Sequence, residues 1–264
     1  MARDQVPLIA LLTDFGASEY VGVVKGVIAS RWPGGTVVDL CHSIRPQAVR
    51  EGAWVLWSAY RHFPPGTIFL AVVDPGVGTR RAAVAVQSRR YRWVGPDNGL
   101  LYPAASEDGV VEAVRLPIPP EASPTFHARD VFAPAAARWA AGGSLGQLGV
   151  PHGSLVPLSF YRSGQEGEVV RVDAFGNLVT TIPLPEGWSA PAPVRVAVAG
   201  MPEVTATFVR TYGDAGPGEL VVVEGSSGTL EVSVVAGSAQ DRLGVQPGDR
   251  LAIRQITERR GVRG

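Results

Sequence analysis

The chain has 264 residues, 45% hydrophobic and 18% charged, enough to bury the core of one large domain or two modest ones and too apolar for a disordered polymer. Its formal net charge is zero, which argues against nucleic acid or an anionic membrane surface as the main partner. A single cysteine, Cys41, excludes an internal disulfide framework and a cysteine zinc site. No run approaches the ~18 apolar residues of a membrane span and no charged-then-apolar leader opens the chain, so it reads as cytoplasmic.

The apolar run from Pro7 to Leu12 predicts a first strand, closed by Thr13-Asp14-Phe15-Gly16. From Ser18 to Arg31, Tyr20, Val23, Val24, Val27 and Ile28 recur at helical spacing, and Trp32-Pro33-Gly34-Gly35 ends that helix. Thr36 to Leu40 predicts a second strand. A second helix begins near Pro46 and carries Val49, Ala53, Trp54, Leu56, Trp57 and Tyr60. Thr67 to Val73 is a third strand, and Ala82 to Ser88 and Tyr91 to Val94 add a hairpin through Arg89-Arg90. Arg129 to Ala141 predicts a further helix with Val131, Phe132, Ala136 and Trp139 on its apolar side. Alternation of strand and helix argues for a mainly parallel sheet with right-handed crossovers, an α/β fold.

Around residues 153–167 the helical pattern stops. Seven β runs follow at short intervals: Glu168 to Val172, Leu178 to Ile182, Val194 to Val198, Thr205 to Arg210, Leu220 to Val223, Leu230 to Val235 and Leu251 to Ile256. That spacing suggests a small barrel or sandwich and places a domain boundary near residue 160, giving domains 1–160 and 161–264. Residues 237–253 resemble part of a peptide-binding PDZ domain, but the carboxylate-binding glycine loop is missing, and the stretch reads as strand–turn–strand.

Chemistry is concentrated where strands end. Asp74-Pro75-Gly76-Val77-Gly78-Thr79-Arg80-Arg81 puts a carboxylate and two glycines behind a core strand, where open α/β sheets bind ligands. The plainer reading is a turn with Pro75 at its second position and a solvated arginine pair. Asp14 follows the first strand as Asp74 follows the third, so both suit one rim of the sheet. A carboxylate there suits a ribose diol, or else caps the next helix. Asp14-Phe15-Gly16 has the form of a kinase metal-binding motif, but no glycine-rich phosphate loop precedes it. His127, just before a helix, is either structural or functional. The four histidines, at 42, 62, 127 and 152, show no metal-ligand spacing. No Walker loop, nucleophile elbow or dinucleotide fingerprint is present.

Taken together, several strings resemble the S-adenosyl-L-methionine (SAM) hydroxide adenosyltransferases, the adenosine-forming SAM hydrolases related to fluorinating and chlorinating enzymes. They are Leu12-Thr13-Asp14-Phe15-Gly16, Val38-Asp39-Leu40-Cys41-His42, Asp74-Pro75-Gly76-Val77-Gly78-Thr79, Gly95-Pro96-Asp97-Asn98-Gly99-Leu100-Leu101, Thr125-Phe126-His127-Ala128-Arg129-Asp130, Phe175-Gly176-Asn177 and Ser226-Ser227-Gly228. The resemblance covers nearly the whole chain. It implies an α/β catalytic domain, a C-terminal substrate-binding β-barrel, and a homotrimer with sites between one subunit's first domain and a neighbour's second. It maps a catalytic Asp-Arg-His set onto Asp74, Arg81 and His127. It maps ribose contacts onto Asp14 and Gln47, adenine contacts onto Phe175, Asn177, Tyr212 and the backbone of Ala236, and methionine contacts onto Asp173 and Ser226. In the halogenating relatives the position of Asp74 is aromatic; in the fluorinating type that of Val77 is threonine and that of Ala128 serine.

The implied chemistry fits these residue types. The sulfonium of SAM is already an activated leaving group, so no cofactor or metal is needed and SAM is simply the substrate. Water, with a pKa of ~15.7, is a poor nucleophile. Asp74 suits the role of base, Arg81 that of a partner for hydroxide-like charge, and His127 orients the pair or relays the proton. A halogenase, or a non-catalytic adenosine- or SAM-binding module, is the alternative on the same scaffold.

Overall fold

A computed structural model describes residues 7–256, which fall into two compact units, the first ending at Ser159 and the second beginning at Phe160. In the first, the elements run β1 (Leu8–Thr13), α1 (Glu19–Arg31), β2 (Thr36–Cys41), α2 (Val49–Ala59), β3 (Ile68–Val72), β4 (Ala83–Ser88), β5 (Arg92–Pro96), α3 (Tyr102–Asp108), β6 (Val110–Arg115), α4 (Ala133–Ala140) and β7 (Val150–Pro151). The sheet order is β2-β1-β3-β5-β4-β6-β7. The pairs β1–β2, β1–β3 and β3–β5 are parallel, whereas β4 pairs antiparallel with β5 and β6. The mainly parallel sheet expected from the alternating pattern is therefore present, with an antiparallel margin.

The two faces of the sheet are covered by different helices. Ile9, Leu11, Leu70 and Val72 share a buried cluster with Val24 and Ile28 of α1 and Ala136 and Trp139 of α4. On the other face α2 comes so close that a Cβ on Gly52 would lie 3.0 Å from Val73 Cγ2 and 2.9 Å from Leu100 Cδ1. Strands buried on both faces read as continuous apolar runs, which is why β1 and β3 show no alternation. The helix expected over Arg129 to Ala141 is two elements, a single π-helical turn at Ala128–Phe132 running into α4.

The second unit contains β8 (Arg162–Ser163), β9 (Glu166–Val172), β10 (Leu178–Pro183), β11 (Ala192–Val198), β12 (Val204–Phe208), β13 (Leu220–Glu224), β14 (Thr229–Val234), α5 (Ala239–Leu243) and β15 (Arg250–Gln255). Strands β10-β14-β13-β12-β11-β15-β9 follow one another, and β9 pairs back onto β10, closing a seven-stranded barrel with β8 appended to β9. Along β11, residues 192, 194, 196 and 198 are buried while Pro193 and Arg195 are exposed, the period of two that a barrel wall requires. Val169, Leu178, Ile182, Val194, Val196, Val222, Val232 and Ile253 fill the interior. The helix α5 replaces the strand–turn–strand reading of that stretch; Ser238 caps it by accepting from Asp241 N–H.

Candidate active site

Strand β1 continues on one side into β2 and is flanked on the other by β3, so the connections diverge between β1 and β3. Ligands bind at such switch points, outside the carboxyl ends of the strands. Asp14 and Asp74 both sit there, one residue beyond Thr13 and two beyond Val72, which are register partners. Gly16 N–H donates to His42 C=O at 2.8 Å, and Thr13 Oγ1 lies 2.9 Å from His42 Nδ1, so the end of β2 holds the Asp14 loop. Asp14 Oδ2 accepts from Gln47 N–H at 2.8 Å, and Gln47 presents that N–H from a left-handed conformation, φ 64°.

Arg81 stands at the far end of the loop that carries Asp74. Its Nε donates to Asp74 Oδ1 at 2.9 Å and Oδ2 at 3.0 Å, and its Nη2 is in close contact with Oδ2. Both side chains are buried, 9% and 6% exposed, so the pair is little screened by water. The same Nη2 lies 2.8 Å from His127 Nδ1. Arginine offers only donors, so Nδ1 must accept; the imidazole is neutral with its proton on Nε2. Burial, and secondly the Arg81 charge, hold His127 below the usual histidine range. The guanidinium lies 5.2 Å from the Phe132 ring centroid, and its Nη1 is buried with no hydrogen-bond partner among the described residues.

Glycine at position 78 is a steric requirement. Its φ is +74°, and a Cβ there would fall 2.4 Å from Pro124 C=O. That approach seats the Asp74 loop against the segment ending in His127. The π-helical turn that follows is a form frequent at functional sites. A cleft of about 670 Å³ opens here, lined by Asp14, Gln47, Asp74, Val77 and His127 among others. One wall is an aromatic trio missed by the sequence reading: Phe15, Tyr20 and Phe126 meet edge-to-face with centroids 5.1–6.1 Å apart. Tyr20 falls in the helical apolar series, yet it is 47% exposed.

The second unit has its own cleft, of about 520 Å³, lined by Phe175, Asn177, Tyr212, Val234, Val235, Ala236 and Gly237. Phe175 is 78% exposed and Tyr212 43%, an unusual exposure for two aromatics flanking an apolar groove. Ala236 has φ 54°. Beneath them Asp173 organises the turn: Oδ1 accepts from Phe175 N–H and Asn177 N–H, and Oδ2 from Asn177 Nδ2. Tyr212 Oη donates to Glu231 at 3.1 Å, and burial pushes the Glu231 carboxyl up. Ser226 is exposed on the β13–β14 turn and does not line this cleft.

Residues 9–149 match the SAM hydroxide adenosyltransferase N-terminal domain, and residues 167–252 match the C-terminal domain of the same family. The chain belongs to the SAM hydroxide adenosyltransferase family. Within reach of that family's sequences, a Thermus thermophilus protein named (R)-S-adenosyl-L-methionine hydrolase is 44% identical over 259 residues, spanning 91% of this chain and 96% of its own. A protein named fluorinase from Actinoplanes is 29% identical over 269 residues, 86% and 90% of the two chains. A solved structure of an uncharacterized conserved protein from Thermotoga maritima aligns with a TM-score of 0.87 at 39% identity, covering 93% of this chain and 99% of that one. Among the described residues of this family member, no group of three or more His, Cys, Asp or Glu side chains is placed to hold a metal ion. No helix among them is long and apolar enough to cross a membrane.

Proposed function

We propose that the chain hydrolyses SAM to adenosine and L-methionine by attack of water on the ribose C5′. The observation that carries this reading is the buried Asp74–Arg81–His127 array at the sheet's switch point. A water in the cleft has an acceptor in Asp74, and the buried Arg81 charge behind that carboxylate holds it in place and offsets the charge that develops. As the C5′–O bond forms, the C5′–S bond breaks. Sulfur keeps the bonding pair, and methionine leaves neutral. The water proton passes to Asp74 and on to solvent. His127 accepts from Arg81 and holds the guanidinium plane.

Asp14, oriented by Gln47 N–H, takes the ribose hydroxyls. The aromatic groove of the second unit suits adenine, with Phe175 and Tyr212 at its flanks and Asn177 and the Ala236 backbone as polar contacts; Asp173 and Ser226 serve the methionine end. In this reading the active assembly is a homotrimer, each first-unit cleft being completed by the second unit of a neighbouring subunit. The reaction uses no cofactor, and the protein works in the cytoplasm. The relatives named hydrolases carry the (R)-sulfonium form in their names, so both sulfonium epimers are to be tested. Incubation with each, followed by chromatography, should yield adenosine and methionine in equal amounts, faster from the (R) form. Absence of adenosine from both would refute the hydrolase reading.

A further inference from the structure

We propose that Asp97 and Asn98 are positioning residues that set the spacing between Asp74 and Arg81; the rate effect rests on the hydrolase reading above, the geometry does not. Asp74 and Arg81 lie on the connection from β3 to β4, but β5 is inserted between those two strands. The end of β3, the start of β4 and the end of β5 therefore share one edge of the sheet, and the connection has to bridge across the end of β5. Asp97 and Asn98 are the first residues beyond β5.

They hold both feet of that bridge. Asn98 Nδ2 donates to Val73 C=O at 2.9 Å, the residue directly before Asp74. Asp97 N–H donates to Ala82 C=O at 2.9 Å, the residue directly after Arg81. The Asn98 amide cannot turn over, because its Oδ1 accepts from Leu100 N–H at 3.2 Å. The β3–β5 ladder ends at Leu70–Val94, and a Cβ on Gly95 would lie 2.3 Å from Ala71 C=O. The Asn98 side chain thus takes over as the cross-link where the ladder stops. Asp97 is in turn fixed from its other side. Its Oδ1 accepts from Val156 N–H at 2.8 Å, and its Oδ2 lies 2.9 Å from His152 Nε2. Neither residue lines the cleft or touches the Asp74–Arg81 array with its own side chain, so each acts through the backbone it holds.

The test uses the full-length protein and the variants Asn98→Ala and Asn98→Asp. The second keeps the size of the side chain and the acceptor for Leu100, and turns the donor to Val73 into an anionic oxygen that the Val73 carbonyl repels, which protects the test should Asn98→Ala misfold. Misplacing a reacting group by about 1 Å costs ~10²-fold, so kcat for adenosine release should fall by about that much with KM changed less than about three-fold. A second readout does not depend on turnover. The Arg81 Nε–H signal in a ¹⁵N spectrum, identified by its loss in Arg81→Lys, should shift and exchange faster with solvent in both variants. Variants with a lowered melting temperature but parental kcat and an unchanged Arg81 signal would make Asn98 merely structural and overturn the proposal. If the parent itself releases no adenosine, the hydrolase reading fails while the Arg81 signal still decides the positioning.

Discussion

Arg81 shares one guanidinium nitrogen, Nη2, between Asp74 and His127, with 2.8 Å to His127 Nδ1. That contact exists only while Nδ1 is unprotonated. His127 is held below its ordinary value of 6.5 by burial first and by Arg81 second. Its neutral form is thus favoured by the fold. The stability this contributes is complete above about pH 6.5 and is lost as pH falls from there through the lower folded value. Activity should follow the same acid limb, because a protonated Nδ1 faces Arg81 donor to donor. In His127→Asn the side-chain oxygen takes the place of Nδ1 and does not titrate. The variant should keep measurable activity and lose this limb of the pH–kcat curve. An unchanged acid limb would remove His127 from the array.

Asp74 and Asp14 are predicted to fail in different ways. Asp74→Asn removes the base, and loss of a general base typically costs ~10²–10⁴ in rate. It also leaves Arg81 buried without its counter-charge, a change that costs about 3–5 kcal/mol in comparable buried pairs, so the comparison must be made well below the variant's melting temperature. Asp14→Ala removes hydrogen bonds made before the chemistry and should weaken substrate binding in calorimetry. Parental turnover in Asp74→Asn would remove the base assignment.

Gln47 supplies Asp14 with a backbone donor from a conformation that suits glycine. Gln47→Gly should leave KM within about three-fold, since the N–H is kept, and stability within about 1 kcal/mol, because relief of strain is offset by greater freedom of the unfolded chain. Gln47→Pro deletes the donor and forces φ near −65°, and should raise KM far more. A large KM increase in the glycine variant would instead assign the ribose contact to the Gln47 side chain.

Much of this was legible before the structure. Local patterns report local elements: apolar runs marked β1 and β3, helical spacing marked α1 and α2, and β runs at short intervals marked the seven barrel strands. Short elements escaped. The helix α3 spans seven residues, too few to display a period, and α5 only five. Strand order escaped as well, because no local pattern states that β5 lies between β3 and β4, so the hold of Asp97 and Asn98 on Ala82 and Val73 was invisible. The place of Tyr20 on the cleft wall was not legible either, because helical spacing does not distinguish a stripe that faces a core from one whose end lines a cleft. Asp74 and Asp14 were visible as strand-end carboxylates; Arg81 and His127 as its companions came from the family resemblance alone.

If each site is built from two subunits, defects in different units should complement one another. Asp74→Asn damages the first-unit cleft and Asn177→Ala the second-unit groove. Each variant alone should be nearly inactive. Trimers reassembled from a mixture of the two should regain activity, because some interfaces pair an intact first unit with an intact second unit from the neighbour. Light scattering should give three times the chain mass of 27.8 kDa. Mixtures as inactive as either parent variant would place the whole site within one subunit.

The charge and hydrogen-bonding character of three positions favour water over halide as the nucleophile. Asp74, Val77 and Ala128 present a carboxylate, an aliphatic side chain and a methyl group where the fluorinating relatives are expected to carry an aromatic ring, a threonine and a serine. Water can donate to Asp74; a halide can only accept, and it faces the carboxylate. Like charges 4 Å apart repel by about 4 kcal/mol at an effective dielectric of 20. The Asp74–Arg81 contact cancels part of that repulsion, and even half of it, about 2 kcal/mol, suppresses halide occupancy roughly 30-fold. Removing the halide from bulk water adds a further cost that no hydroxyl from position 77 or 128 offsets. In ¹⁸O-labelled water the 5′-hydroxyl of product adenosine should therefore carry the label, and added chloride or fluoride should give no 5′-halo-5′-deoxyadenosine by mass spectrometry. A halogenated nucleoside as the main product would reverse the assignment and show that Arg81 outweighs Asp74 in the field at C5′.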